Sequence, residues 1–252
     1  LAVAADGSAV VPILGGHNGA NSLANQIATA IGGIGAITTA SDIRLGVAID
    51  DPPEGWNVNN RNAAKGIFSR MLAGKPIRLE ISSGDVRWLK QSNIKFDDNA
   101  EGPCIQVTEK VIAEPKSNLV LHPPVLALGV GCERNCDPEE LENLVRETLK
   151  DAGLSASSIS CVASLDLKMD ELAVNELAAS LGVPARFFSA KELEALTPYL
   201  DNPSETVFDA VGCHGVSEGA AIAAAGSKAT LRVGKHRSLR ATCAIAINPE
   251  GI

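Results

Sequence analysis

The chain has 252 residues, 45% of them hydrophobic and 21% charged, with a formal net charge of −8. That length accommodates two small domains or one large one. With aromatic residues at only 3%, the cores must be built from Ala, Val, Ile and Leu, which favours α/β packing over an aromatic-rich sandwich. The acidic balance argues against nucleic acid as a partner. No run approaches the roughly 18 apolar residues of a membrane span, so no membrane partner is expected. Six scattered cysteines (Cys104, Cys132, Cys136, Cys161, Cys213, Cys243) lack the density of a stapled secreted fold. Cys161 and Cys243 lie in apolar runs and read as small core residues. A reduced cytoplasm fits this usage. No basic segment followed by an apolar stretch opens the chain as a signal peptide would. It starts at Leu1 in a strand-like run, which raises the expectation of a segment upstream.

Residues 1–13 read as two short strands around Asp6-Gly7, a good hairpin turn pair. A glycine-rich turn follows, then a helix with Leu23, Ile27 and Ile31 on its apolar face, stopped by Gly32-Gly33. Residues 36–39 are the next strand candidate, completing one α/β unit. From about residue 44 to 122 the chain is loop-rich at Pro52-Pro53, at residues 57–60 and at residues 97–102. One helix stands there with Ala64, Ile67, Phe68, Met71 and Leu72 on one face, and alternation predicts strands over 77–81 and 105–111.

Pro123-Pro124 marks the next boundary. Residues 125–130 are a continuous apolar strand. Asp137-Pro138-Glu139-Glu140 then opens a helix with an N-cap, Pro at N1 and an acid at N3. Its apolar face is Leu141, Leu144, Val145 and Leu149, and Gly153 ends it. A strand over 159–165, a helix over 172–181 and a strand over 185–188 follow. A small-residue helix over 215–225 and a hairpin of 230–233 with 241–247 close the chain. The expected class is α/β: an N-terminal α/β unit (1–44), a small α+β middle segment (45–122) and a C-terminal three-layer-like mixed α/β domain opening βαβαβ (123–252).

Several turns carry candidate chemistry. Gly15, Gly16 and Gly19 lie between strand and helix, where backbone N–H groups can approach a ligand and the helix start favours an anion. His17 within that turn moves a proton near neutral pH, unless it is simply an exposed side chain on a tight turn. Gly129-Val130-Gly131-Cys132-Glu133-Arg134 ends a strand, but a dinucleotide fingerprint fails because Arg134 stands where its third glycine belongs. Arg134 suits a carboxylate better, since guanidinium binds it with two hydrogen bonds. Cys132 and Cys136 have no second spaced pair to complete a zinc site, even with Cys213 or His214 added.

Asp166 and Lys168 follow the second strand and are placed to share Arg134's crevice, while Asp170 and Glu171 read as the acidic first turn of a helix. Around Cys213, His214 and Glu218, a covalent cysteine mechanism is disfavoured because adjacent residues point apart. Close helix packing through Gly219, Ala220 and Ala221 reads better. Lys235-His236-Arg237-Ser238-Leu239-Arg240 concentrates cations at a hairpin tip, ordinarily a solvated loop unless the ligand is a polycarboxylate.

Taken in order, these motifs resemble the cobalt-precorrin-5A hydrolase family of cobalamin biosynthesis. The resemblance rests on Gly16-His17-Asn18-Gly19-Ala20-Asn21, on Ile37-Thr38-Thr39-Ala40-Ser41-Asp42, and on three later segments. Those are Leu128 to Arg134, Ser164 to Lys168 with Asp170-Glu171, and Gly212 to Ala221. The histidine turn departs from the family in having one glycine after Asn18, where members often have two, and members generally carry a further glycine-turn region before the point matching Leu1. The C-terminal part also resembles the stand-alone CobE proteins.

The resemblance implies hydrolytic opening of the ring lactone of cobalt-precorrin-5A, loss of acetaldehyde and formation of cobalt-precorrin-5B. Cobalt would come with the substrate, with no cofactor or metal site of the protein's own. His17 and Glu218 are then the candidate catalytic groups. Gly15, Gly16, Gly19, Asn21, Gly129, Gly131, Cys132, Arg134, Asp166, Lys168, His214 and Lys235 are the candidate binding groups for a corrin intermediate. A precorrin methyltransferase and a homodimer mate are the protein partners left open. The competing reading is a carrier that binds such intermediates without transforming them.

Overall fold

The structure is a computed structural model that describes residues 1–14, 20–37 and 45–252. The chain forms two compact units. One comprises Leu1–Ile81, Val86–Val107 and Ile112–Leu121; the other comprises Ser82–Asp85, Thr108–Val111 and His122–Ile252. The class is mixed α/β. Among the described residues, no helix is long and apolar enough to cross a membrane.

In the first unit, β1 (Ala2–Val3) and β2 (Ala9–Val11) pair antiparallel as the Asp6-Gly7 turn predicts. Gly7 has φ 73°, and Asp6 Oδ1 accepts from the Ser8 N–H at 3.0 Å. Helix α1 (Ala20–Ile31) leads to β3 (Ile34–Gly35), which pairs parallel with β2. Two expectations change here. The strand lies at Ile34–Gly35 rather than over 36–39, of which only residues 36 and 37 are described. The face of α1 that packs is Ala24 and Ala28 against Val10, with Asn21 buried too and Ile27 packed alongside as expected, while Leu23 is 46% exposed and Ile31 is exposed as well. The helix backbone passes close to β3, since a Cβ on Gly35 would sit 3.3 Å from Asn25 Cα.

A second sheet in this unit runs in the order β4 (Asn57–Asn59), β7 (Leu119–His122), β6 (Cys104–Val107), β5 (Arg78–Ile81), with parallel β5–β6 and β6–β7 pairs. Helix α2 (Ala64–Leu72) buries Ala64, Ile67, Phe68 and Met71 as its periodicity predicts, and a short helix α3 (Arg87–Lys90) adds Leu89 to the same core. Strand β6 ends at Val107, shorter than the alternation over 105–111 suggested.

The second unit is built on a five-stranded sheet in the order β10 (Ala185–Phe188), β9 (Ile159–Leu165), β8 (Leu126–Cys132), β12 (Ala241–Ile247), β11 (Thr230–Arg237). Strands β8, β9 and β10 are parallel, and β12 runs against both β8 and β11. Because side chains alternate across a strand, Leu126, Leu128 and Val130 meet α4 (Pro138–Ala152) and α5 (Leu172–Leu181) on one face. Ala127, Cys161, Ala163 and Leu165 meet α8 (Val216–Ala225) on the other. Between β10 and α8 lie two short helices, α6 (Ala190–Glu194) and α7 (Glu205–Val211).

The result is three layers. Asp137 caps α4 by accepting from the Glu139 N–H at 3.0 Å, and Gly153 closes it in the left-handed conformation at φ 64°. Cys161 and Cys243 are core residues, as expected.

Candidate functional site

Strand direction places the carboxyl ends of β8, β9 and β10 and the β11–β12 turn at one edge of the sheet, where open α/β sheets bind ligands. The loop after β8 and the loop after β9 are locked together there. Arg134 donates through Nη1 to Asp170 Oδ1 at 2.6 Å and through Nη2 to the Leu167 carbonyl at 2.8 Å. Asp170 holds the guanidinium charged, and Arg134 in turn holds the Asp170 carboxyl below its usual range. The Arg134 side chain remains 55% exposed.

Asn135, in the left-handed conformation at φ 55°, donates its N–H to Glu171 Oε1 at 2.9 Å. From the β11–β12 turn, Arg240 donates to the carbonyls of Arg134 (2.8 Å) and Asn135 (3.2 Å) and to Glu133 Oε2 (3.0 Å). Glu140, the acid expected at N3 of α4, accepts from the Ser238 hydroxyl and the Arg240 N–H instead of closing a capping box.

This edge brings together four of the expected residues: Cys132, Arg134, Asp166 and Lys168. Asp166 and Lys168 bound a 3₁₀ turn directly after β9, with Asp166 exposed. Burial, more than any neighbour, pushes the Cys132 thiol up to about 11, so it stays protonated and is no nucleophile. Among the described residues, no three His, Cys, Asp or Glu side chains converge as a metal site.

Glu171 is the residue the sequence did not single out. Its side chain is 3% exposed, with Oε2 3.6 Å from both Arg134 Nη1 and Lys168 Nζ. Read as one more acid at a helix start, it in fact makes no side-chain cap of α5. The available signal was Lys168 three residues earlier, a spacing that puts both side chains on one side of a turn.

Three expected residues fall into two clusters associated with α8. Glu218 is 1% exposed, with Oε2 accepting from the Asn202 N–H (3.0 Å) and Oε1 from Asn202 Nδ2 (2.9 Å) and the Lys235 N–H (2.8 Å). Burial opposes its ionisation, yet these donors outweigh burial and hold the carboxyl below its usual range. A carboxylate so enclosed and so committed braces the 201–202 loop and β11. Lys235 donates from Nζ to the Asn202 carbonyl at 2.8 Å and sits within β11 rather than at a hairpin tip.

His214 forms the second cluster. Nδ1 lies 2.9 Å from Glu194 Oε2, Nε2 lies 3.5 Å from Glu205 Oε1, and Phe208 stacks on the ring at 4.5 Å between centroids. The hydrogen bond to Glu194 is the main reason its pKa is raised.

Gly129 and Gly131 have close neighbours. A Cβ on Gly129 would lie 1.9 Å from the Ser217 carbonyl oxygen and 2.5 Å from the Ala221 nitrogen, and one on Gly131 would lie 2.9 Å from Thr242 Oγ1. Both glycines are buried and pack closely within the unit. Asn21 is buried on α1. Gly15, Gly16, His17 and Gly19 lie outside the described residues.

The chain matches two family models, Cobalamin synthesis G N-terminal over residues 1–42 and Cobalamin synthesis G C-terminus over residues 126–246. It is 47% identical over 121 residues to Protein CobE of Sinorhizobium sp, covering 48% of this chain and 79% of that protein. It is 28% identical over 263 residues to the cobalt-precorrin-5A hydrolase of Priestia megaterium, covering 96% of this chain and 70% of that protein. Among solved structures, the crystal structure of CobE, a protein from the cobalamin biosynthetic pathway, is similar at 35% identity and a TM-score of 0.48, covering 50% of this chain and 92% of that one. The chain therefore belongs to the cobalamin synthesis G family.

Proposed function

We propose that this chain hydrolyses the ring lactone of cobalt-precorrin-5A, releasing acetaldehyde and giving cobalt-precorrin-5B. The observation that carries this is span: similarity to the Priestia megaterium hydrolase runs through 96% of the chain, whereas similarity to CobE stops at 48%. A carrier resembling CobE needs only the C-terminal part.

The corrin ring carries acetate and propionate groups, so its site needs cations that are not all consumed by the protein. The Arg134 side chain is 55% exposed at the strand edge, which supports its proposed role of binding a ring carboxylate. Arg237 lies beside the same turn, and Lys235 is proposed to serve with them. Cobalt is proposed to arrive with the substrate, the protein contributing no cofactor.

His17 is proposed as a proton-transfer group. The cytoplasm is the proposed location, and a precorrin methyltransferase and a second copy of the chain are the proposed protein partners.

The test is acetaldehyde release from cobalt-precorrin-5A, coupled to NADH oxidation by alcohol dehydrogenase, for the wild-type chain and for His17→Ala. Turnover by the wild type with a sharp loss in the variant, at unchanged substrate binding, is expected. Binding without acetaldehyde contradicts the hydrolase and favours the carrier. Equal turnover by the variant removes His17 from the chemistry.

A further inference from the structure

Glu171 and Lys168 form an ion pair of the second unit in which both side chains are largely withdrawn from solvent. Glu171 is 97% buried by side chain, yet Oε2 makes no hydrogen bond to any protein group. Lys168 is 14% exposed, and its ammonium makes none of the hydrogen bonds found among the described residues. Oε2 and Nζ stand 3.6 Å apart, beyond hydrogen-bond range but close enough for one oxygen atom to contact both.

Buried charges that stop short of direct contact are costly unless something completes them. The completing group must accept from an ammonium and donate to a carboxylate. A ring carboxylate accepts only, and would add a second negative charge beside Glu171. A water molecule does both.

We propose that Glu171 and Lys168 hold the water that opens the lactone, with Glu171 Oε2 as its proton acceptor; this rests on the hydrolase reading above. One O–H bond of the water breaks as its proton passes to Oε2, and the hydroxyl oxygen bonds the lactone carbonyl carbon. The acyl C–O bond then breaks, and the proton passes from Glu171 to the released alkoxide oxygen, restoring the carboxylate. Lys168 donates to the water throughout and gives up no proton.

The surroundings keep Glu171 ready for this. Asn135 N–H fixes Oε1, leaving Oε2 without a hydrogen bond, and Arg134 Nη1, itself anchored to Asp170, also lies 3.6 Å from Oε2. Cys132 and Cys136 are the remaining titratable neighbours, and burial raises the pKa of both thiols, so neither competes for the proton at neutral pH. Lys168 is thereby reassigned from binding a ring carboxylate to binding water.

The test is steady-state kinetics on cobalt-precorrin-5A for the wild type, Glu171→Gln, Glu171→Asp and Lys168→Met, with thermal unfolding of each. Glutamine preserves shape and the bond from Asn135 but not the proton acceptor. For Glu171→Gln, kcat falls by about 100-fold or more with KM unchanged, the scale of a lost general base, and Glu171→Asp restores part of it. If the glutamine variant does not fold, Lys168→Met reads the same site and lowers kcat at unchanged KM.

Wild-type-like kcat in a folded Glu171→Gln overturns the proposal and leaves the hydrolase reading standing. A raised KM at unchanged kcat in Lys168→Met returns Lys168 to carboxylate binding and overturns the proposal. A wild-type chain that releases no acetaldehyde overturns the hydrolase reading itself.

Discussion

His214 and Glu194 are joined by a hydrogen bond that shifts both groups, upward for the imidazole and downward for the carboxyl. The histidine's contribution to stability is fully present below its ordinary value of 6.5 and is lost as pH rises through its raised folded value. The glutamate's contribution is present above 4.5 and is lost as pH falls through its lowered folded value. The difference in melting temperature between the wild type and His214→Gln is therefore predicted to be largest between pH 4.5 and 6.5 and to shrink above that window. Thermal scans across pH check it, and a pH-independent difference would contradict the ion pair.

Residue roles were the least legible part of the sequence. Arg134, Asp166 and Lys168 could be placed at the strand edge because they follow recognisable strands. Glu218 and Glu171 could not be told apart, since one carboxylate is enclosed by three donors and the other left with a free oxygen, and both outcomes depend on distant residues such as Asn202 and Asn135.

Among the elements, the packing of α8 on β8 imposes the tightest constraint. Gly129 faces the backbone at Ser217 and Ala221, atoms that cannot rotate away as a side chain would. Gly129→Ala is predicted to destabilise the protein by about 3 kcal/mol, the upper range for overpacking, read as a lower urea midpoint at unchanged slope. A neutral result would mean that α8 sits further from the sheet.

Local signals were strong where they agreed with each other. Asp137-Pro138 and Gly153 bracket α4, and an apolar run of strand length marks β9, so both lie where the sequence put them. Strand β4, made of Asn57–Asn59, read as loop, because asparagines carry turn propensity and only pairing to β7 makes them a strand. The close packing of the β8 glycines is hidden from the sequence for a related reason. A glycine required for close packing and one required for close ligand approach look identical until the neighbour is known.

For the whole molecule, function follows from combining a span with an edge. Similarity to a hydrolase along nearly the full chain supports the proposed reaction, and the β8–β9 edge supplies an exposed arginine and a largely buried lysine beside a buried carboxylate whose Oε2 has no hydrogen bond. The most direct test is to incubate the chain with cobalt-precorrin-5A in ¹⁸O-labelled water and to analyse the corrinoid and the volatile product by mass spectrometry. Water attack on the lactone carbonyl predicts one ¹⁸O in the newly formed carboxylate, together with released acetaldehyde. Recovery of bound, unlabelled and unchanged substrate would contradict the account and leave a corrin-binding protein in place of an enzyme.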